Sequence, residues 1–134
     1  MILVDSSVWA DFFNGHPSPE KIKLVSLLTS GADIAIIGLI VSEVLSGFKD
    51  EKTFENVTTI FQNLPMIEVE YLSHIQAARM YRDLRSKGIT IRSIIDCLIA
   101  TIAIENNLVL LHKDRDFEMI GNHYPDLSIL KLQE

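Results

Sequence analysis

The stretch RSIIDCLIATIAIENNLVLLHKDRDF, residues 92–117, decides the fold class of this chain. Its first half is an almost unbroken apolar run of helix length, interrupted near its start by one carboxylate, Asp96. LVLLH then has the length and composition of a buried strand, and the segment from Asp114 opens another helix. A buried strand between two helices indicates an α/β fold with a parallel sheet.

The rest of the chain repeats this alternation. Strands are predicted at MILV (1–4), DIAIIG (33–38), MIEVE (66–70) and LSILKL (127–132). Helices are predicted in SVWADFFNG, SPEKIKLVSLLTSG, LIVSEVLSGF, DEKTFENVTTIFQNL and LSHIQAARMYRDLRSKG. With 134 residues, 48% of them apolar, and no repeat or linker, we predict one α/β domain over residues 1–134 with a mostly parallel sheet.

Two local patterns predict which side chains are buried. In the helix LSHIQAARMYRDLRSKG, the residues Ile75, Ala78 and Tyr81 recur at helical spacing and are expected to face the core. Trp9, Phe12 and Phe13 form a bulky group close to the first predicted strand. At least two of these three side chains are predicted to belong to the core. The alternative is that they pack against a partner helix or a base.

Charge and cysteine content limit the possible settings. The net charge of −6 disfavours a protein that holds nucleic acid by phosphate neutralisation alone, although bound metal ions would reverse the local sign. No apolar run reaches membrane-spanning length, and the first residues lack the features of a signal peptide. The single cysteine, Cys97, lies in an apolar stretch without an activating base, which favours a cytoplasmic protein and excludes a cysteine nucleophile.

Acidic side chains follow the predicted strands where ligands usually bind. Asp5 comes directly after the first strand, and Asp114 lies just past LVLLH. Open parallel sheets bind ligands beyond the carboxyl ends of their strands, near a topological switch point. Glu43 and Asp96 lie on helices that can cover the same edge.

Each acid also has a local explanation. Asp5 and Asp114 are suitable N-caps for the helices that follow them. Ser93 and Asp96 have the S-x-x-D spacing of a capping box, in which the acid bonds back to the helix start. Glu43 is expected to be half-buried and is alternatively an ordinary boundary glutamate.

Convergence of the four acids would require a counter-ion. Carboxylates about 4 Å apart repel by ~4 kcal/mol at an effective dielectric near 20. With no Cys or His cluster in the sequence, oxygen-only ligands favour Mg²⁺ or Mn²⁺. Such ions suit phosphodiester hydrolysis, because one can activate water while another stabilises the leaving oxygen.

Four motifs in order resemble those of PIN-domain ribonucleases, especially the VapC-type toxins of toxin–antitoxin pairs. ILVDSSVWADFFNG resembles the opening of the family, VSEVLSGF its second motif, and IIDCLIATIAIENNLVLLHKDRDF its third and fourth. The resemblance covers nearly the full length and implies a three-layer α/β/α fold. It also implies a metal-dependent endoribonuclease with one or two Mg²⁺ or Mn²⁺ ions.

The resemblance assigns roles to individual positions. Catalytic and metal-binding roles fall on Asp5, Glu43, Asp96 and Asp114, and Asp116 matches a more variable fifth acid. Ser6 matches the position whose hydroxyl supports the first aspartate. His112 departs from the pattern T-x-D-x-D-F of many relatives: it contacts RNA, supports a carboxylate or ends the strand, and the last interpretation is favoured.

Partners follow from the same resemblance, which implies an RNA substrate, a cognate antitoxin and a homodimer. A basic cluster is a candidate track for RNA phosphates, and a solvated helix C-terminus is the alternative. The cluster consists of Arg79, Arg82, Arg85, Lys87 and Arg92.

Two rival functions remain at the level of sequence. A receiver or phosphatase-like module would also place an Asp after the first strand and bind Mg²⁺, but VDSSV lacks the D-x-D-x-[TV] motif of such phosphatases. A non-catalytic module would use the acids only as helix caps.

Overall fold

The computed structural model describes residues 1–132, which contain the seven predicted helices and four of the five predicted strands. The elements in chain order are β1 (Ile2–Val4), α1 (Ser6–Asn14), α2 (Pro19–Ser30), β2 (Ile34–Ala35), α3 (Gly38–Leu45), α4 (Glu51–Gln62), α5 (Tyr71–Ser86), α6 (Ile94–Glu105), β3 (Val109–Leu111), α7 (Arg115–His123) and β4 (Ser128–Ile129). The first two helices end at Gly15 and Gly31, whose left-handed φ angles of 73° and 75° suit glycine at the end of a helix.

The four strands form one sheet in the order β2-β1-β3-β4, and every pairing is parallel. The helices flank this sheet in a three-layer α/β/α arrangement, which confirms the predicted fold class. All strands therefore end at the same edge, and the residues that follow them lie close together.

The order of the strands places a topological switch point between β1 and β3. From β1 the chain moves outward to β2, whereas from β3 it moves in the opposite direction to β4. Right-handed crossovers then place α1 and α2 on one face and α6 and α7 on the other. Asp5 follows β1 and Asp114 follows β3, so the two acids flank the crevice at this point.

Helix α6 is anchored by burial on nearly all sides. Seven consecutive residues, from Cys97 to Ala103, are buried, since the helix packs against α5, α7 and β3. Each large aliphatic side chain buried in this way contributes roughly 1.5–3 kcal/mol. This packing fixes the position of Asp96 in the first turn of the helix.

The predicted strand MIEVE is wrong. Only Met66 forms a bridge, with Ile36, supported by hydrogen bonds on either side of Ile36. Pairing stops there because the chain turns into α3 at Gly38 and offers no further strand backbone.

The predicted buried face of α5 is correct only in part, since Tyr81 is partly buried against the core. The helix buries Ser73, Ala77, Met80 and Leu84, whereas Ala78 is exposed. Contact with α6 selects this stripe, in which the Ser73 hydroxyl donates to Glu105 Oε1 at 2.6 Å.

Aromatic side chains of α1 belong to the core, as predicted. Trp9 is fully buried, with its ring stacked on Phe13 at 5.7 Å and edge-on to Phe61 at 5.2 Å. Phe12 and Phe13 are partly buried against the same core. Because Trp9 is fully buried, it is not available to a partner.

Among the described residues, no helix is both long and apolar enough to cross a membrane.

Candidate active site

Asp5 is nearly buried at the end of β1, where it caps α1. Its Oδ2 accepts hydrogen bonds from the Ser7 hydroxyl at 2.7 Å and the Ser7 N–H at 3.3 Å. The prediction that Ser6 supports this aspartate is therefore corrected to Ser7, because the residue two positions on reaches back across the helix start. Asp5 Oδ1 accepts no hydrogen bond from the described residues.

Glu43 lies on α3 and is exposed, which corrects the prediction that it is half-buried. Partial burial of its carboxyl group nevertheless raises its pKa. The nearby Ser6 side chain opposes that rise, and the charge of Asp5 adds to it. Ser6 therefore lies beside Glu43, whereas the resemblance predicts that it supports Asp5.

Asp114 caps α7 and is held from both sides. Its Oδ1 accepts the Asp116 N–H at 2.9 Å, and its own N–H donates to His112 Nδ1 at 3.0 Å. His112 is buried, and its Nε2 lies 2.9 Å from Glu118 Oε2. The favoured interpretation of His112, that it only ends the strand, is therefore wrong: the ring supports the backbone of an acid.

Asp96 lies in the first turn of α6 without the reciprocal bond of a capping box. Ser93 is the N-cap, but its hydroxyl accepts from the Ile95 N–H at 3.1 Å. Within residues 1–132 no hydrogen bond to the Asp96 carboxylate is found. The local explanation of this acid as a capping-box partner does not hold.

Three carboxylates converge at the switch point. One oxygen each of Asp96, Asp114 and Asp116 lies within 4.8 Å of the others, and we refer to these residues as the acid group. The resemblance matches Asp116 only to a more variable fifth acid, yet the structure places it in the central trio. Asp5 and Glu43 lie outside this trio.

The electrostatic cost of the arrangement falls on Asp96. Burial first, and then the charges of Asp114, Asp5, Asp116 and Glu43 in that order, together raise the pKa of Asp96 to about 7. All four other candidate acids therefore act on the same carboxyl. Only carboxylate oxygens are offered, a donor set that fits Mg²⁺ or Mn²⁺.

Arg92 is the one basic residue of the predicted phosphate track that reaches the acid group. Its Nη2 donates to Asp114 Oδ2 at 2.9 Å, and its Nε donates to Asp116 Oδ2 at 3.4 Å. Arg79, Arg82 and Arg85 are exposed on α5, and in the described part of the chain none of them pairs with an acid. Arg85 instead lies over the Tyr81 ring at 5.5 Å.

A groove adjoins Asp114 on the side of β4. Its volume is about 890 Å³, and Lys113, Arg115 and Lys131 bring positive charge to its lining. Three acids, Glu20, Asp114 and Glu118, also line the groove, so its charge is mixed, with basic side chains beside the acid group.

Comparison with known proteins identifies the family. A family model described as the PIN domain matches residues 2–122. The chain belongs to the PIN domain family. The predicted resemblance is thereby confirmed.

Two curated relatives of this PIN domain are named as VapC ribonucleases. One is from Mycobacterium bovis and the other, ribonuclease VapC11, is from Mycobacterium tuberculosis. Each is 37% identical over 123 residues, which cover 90% of this chain and 92% of the relative.

Solved structures share the PIN fold at lower identity. VapBC2 from Rickettsia felis, bound to a DNA fragment of its promoter, matches with a TM-score of 0.75 and 24% identity over 99% of this chain and 100% of the other. VapC20 of Mycobacterium tuberculosis, a toxin that cleaves the sarcin–ricin loop, matches with a TM-score of 0.71 and 16% identity. The match covers 90% of this chain and 95% of the VapC20 chain. At these identities the match establishes the fold alone.

Sequence reasoning missed several residues that support this PIN domain site. Ser7 is adjacent to the predicted Ser6, and only the direction of the side chains separates the two. Glu118 lies one turn into α7, where its contact with His112 has no local signal. Lys113 pairs with Asp11 of α1 across 102 positions of sequence.

Proposed function

We propose that this PIN domain is a metal-dependent endoribonuclease and the toxin of a toxin–antitoxin pair. Asp96 carries the proposal. Its carboxyl is desolvated, surrounded by four other acids and without a hydrogen bond from the described residues. Such a group is costly unless a cation compensates it.

The alternative that the acids are only helix caps accounts for part of the site. Asp5 and Asp114 do cap α1 and α7, but each cap bond uses a single carboxylate oxygen. Asp96, Asp116 and Glu43 cap no helix. The caps therefore hold two acids in place, and the rest of the site needs another explanation.

Residues of the acid group, with Asp5 and Glu43 beside them, would hold one or two Mg²⁺ or Mn²⁺ ions. Such ions supply an activated water and neutralise charge on the leaving oxygen. The chain itself orients the carboxylates: Ser7 holds Asp5, His112 holds the Asp114 backbone, and packing of α6 holds Asp96. Cys97 takes no part, because burial raises its pKa to about 11.

RNA binding is proposed along two surfaces that carry basic side chains. One comprises Arg79, Arg82, Arg85 and Arg92, and the other is the groove lined by Lys113, Arg115 and Lys131. The name of the relatives as ribonucleases supports RNA as the substrate.

A cognate antitoxin, a homodimer and a cytoplasmic location complete the proposal, with residues 1–134 forming one nuclease domain. Structural neighbours of the chain include toxin–antitoxin complexes from Rickettsia felis and Klebsiella pneumoniae. The buried, unpaired Cys97 agrees with a reducing compartment.

Cleavage of RNA with Mn²⁺ by the purified protein and by Asp96→Asn tests the activity. We expect the wild type to cleave single-stranded RNA and the variant to lose at least about 100-fold in rate, because it removes the central ligand. Circular dichroism of the variant should be unchanged, since Asn has the size of Asp. Chelation of the metal should abolish cleavage by the wild type. Equal cleavage by both proteins would contradict the proposal.

A further inference from the structure

We infer that Arg92 exchanges partners during the reaction cycle. Its side chain pairs with Asp114 and Asp116 in the structure, and when a divalent cation occupies the acid group its guanidinium binds a phosphate of the RNA. The inference rests on the proposed function for its second half only. Its first half concerns the protein and a metal ion alone.

The contacts of Arg92 occupy the atoms that a cation would use. Both oxygens of Asp114 accept hydrogen bonds, Oδ1 from the Asp116 N–H and Oδ2 from Arg92 Nη2. Asp116 Oδ2 accepts from Arg92 twice, through Nε at 3.4 Å and the backbone N–H at 3.2 Å. A guanidinium at this point is therefore a positive charge in contact with two of the three acids.

A guanidinium and a divalent cation repel each other at such short range, and both compete for Asp114 Oδ2. Arg92 must therefore move when the cation binds. The Arg92 side chain is 74% exposed and can turn into solvent, while the cation replaces its positive charge at the carboxylates. The backbone bond from Arg92 to Asp116 does not depend on the side chain, so the acid keeps its orientation.

The released side chain remains at the edge of the acid group. A strand whose scissile phosphate lies at the acids has phosphate oxygens within the same region, and the planar guanidinium can bind two of them at once. Arg92 would thus be a substrate-binding residue whose availability depends on the metal.

Mn²⁺ affinity of the full chain without RNA tests the first half. By isothermal titration calorimetry we expect Arg92→Gln to bind Mn²⁺ about 3–10-fold more tightly than the wild type, since it removes a competing charge. Arg92→Lys keeps the charge and should stay close to the wild type. Arg85→Gln removes an arginine that does not contact the acids, and its Mn²⁺ affinity should not change. Unchanged or weaker Mn²⁺ binding by Arg92→Gln would overturn the inference.

RNA affinity tests the second half. The probe is a labelled oligouridine with phosphorothioate linkages, which slow hydrolysis, measured by fluorescence anisotropy at several salt concentrations. With Mn²⁺ present, Arg92→Gln should bind about 10-fold more weakly and reduce the slope of log K against log salt by about 0.7–1. Without Mn²⁺, wild type and variant should show equal slopes, because Arg92 is then bound to the acids.

The two measurements separate the possible failures. Equal RNA affinity of wild type and Arg92→Gln with Mn²⁺ would overturn the partner exchange. Wild-type cleavage combined with unchanged Mn²⁺ and RNA affinities in Arg92→Gln would overturn it while leaving the proposed function intact. Tighter Mn²⁺ binding in a protein that cleaves no RNA would support the counter-ion role and contradict the proposed function.

Discussion

His112 shows how a ring nitrogen can replace a hydroxyl as a local acceptor. Its Nδ1 accepts the Asp114 N–H, so the proton of a neutral ring resides on Nε2 and donates to Glu118. A threonine hydroxyl can accept the same N–H two residues on, as in an ST turn. The departure from T-x-D-x-D-F therefore conserves the hydrogen bond while changing the residue.

Substitution of His112 by Asn and by Leu separates this bond from packing. The Asn side-chain oxygen occupies the position of Nδ1, so His112→Asn should keep Mn²⁺ affinity within about threefold of the wild type. Leu has as many side-chain heavy atoms as Asn but no acceptor. His112→Leu therefore leaves the Asp114 N–H unpaired, at a cost of ~1–3 kcal/mol. We expect it to bind Mn²⁺ at least about 10-fold more weakly in calorimetry. Equal affinities for the two variants would show that the acceptor is unimportant.

Between elements, one ion pair ties the first helix to the loop that carries the acids. Lys113 Nζ donates to Asp11 Oδ2, which joins α1 to the segment between β3 and α7. Asp11 is 8% exposed, so its carboxylate depends on this partner more than a surface acid would. The next residue, Asp114, is positioned by the same segment.

Urea unfolding of Asp11→Asn, Lys113→Gln and the double variant measures the coupling. Each single variant should lose about 1–3 kcal/mol, because a partly buried partner is left behind. The coupling energy should exceed about 0.5 kcal/mol. The exposed i,i+4 pair Asp83–Lys87 is the matched control, with an expected coupling of about 0.3–0.5 kcal/mol or less. Additive losses at Asp11 and Lys113 would rule out the tie.

For the whole molecule, convergence of acids makes stability depend on pH. Acids from the ends of β1 and β3 and from α3 and α7 act on Asp96, whose pKa is raised to about 7 from an ordinary 3.8. The folded state thus holds a proton that the unfolded chain releases above about pH 4. The contribution of Asp96 to stability is greatest at low pH and is lost as the pH rises from about 4 to about 7.

Asp96→Asn should therefore stabilise the metal-free protein at pH 8, on the order of 2 kcal/mol, and have little effect at pH 4. Thermal or urea unfolding in the presence of a chelator checks this. Other titrating groups cancel in the difference between the two proteins. With saturating Mn²⁺ the order at pH 8 should reverse, because only the wild type gains binding energy. A variant less stable than the wild type at pH 8 without metal would contradict the raised pKa.

Much of the architecture was predictable because its causes are local. Apolar runs of strand length, glycines after helices and aspartates before them specify the elements within a few residues. The errors occur where a partner is needed. MIEVE has strand composition but no strand to pair with beyond Ile36, and α5 buries the stripe that fits α6.

The sequence by itself determined the order in which strands and helices follow one another along the chain. It also placed an acid after β1 and another after β3. Tertiary structure alone decided which carboxylates meet, that Ser7 holds Asp5, and that Arg92 reaches acids 22 and 24 positions away. Hydrogen bonds along the backbone and apolar periodicity act over a few residues and can be read in one dimension. The direction of a side chain across a crevice depends on how whole helices pack, which no short segment encodes.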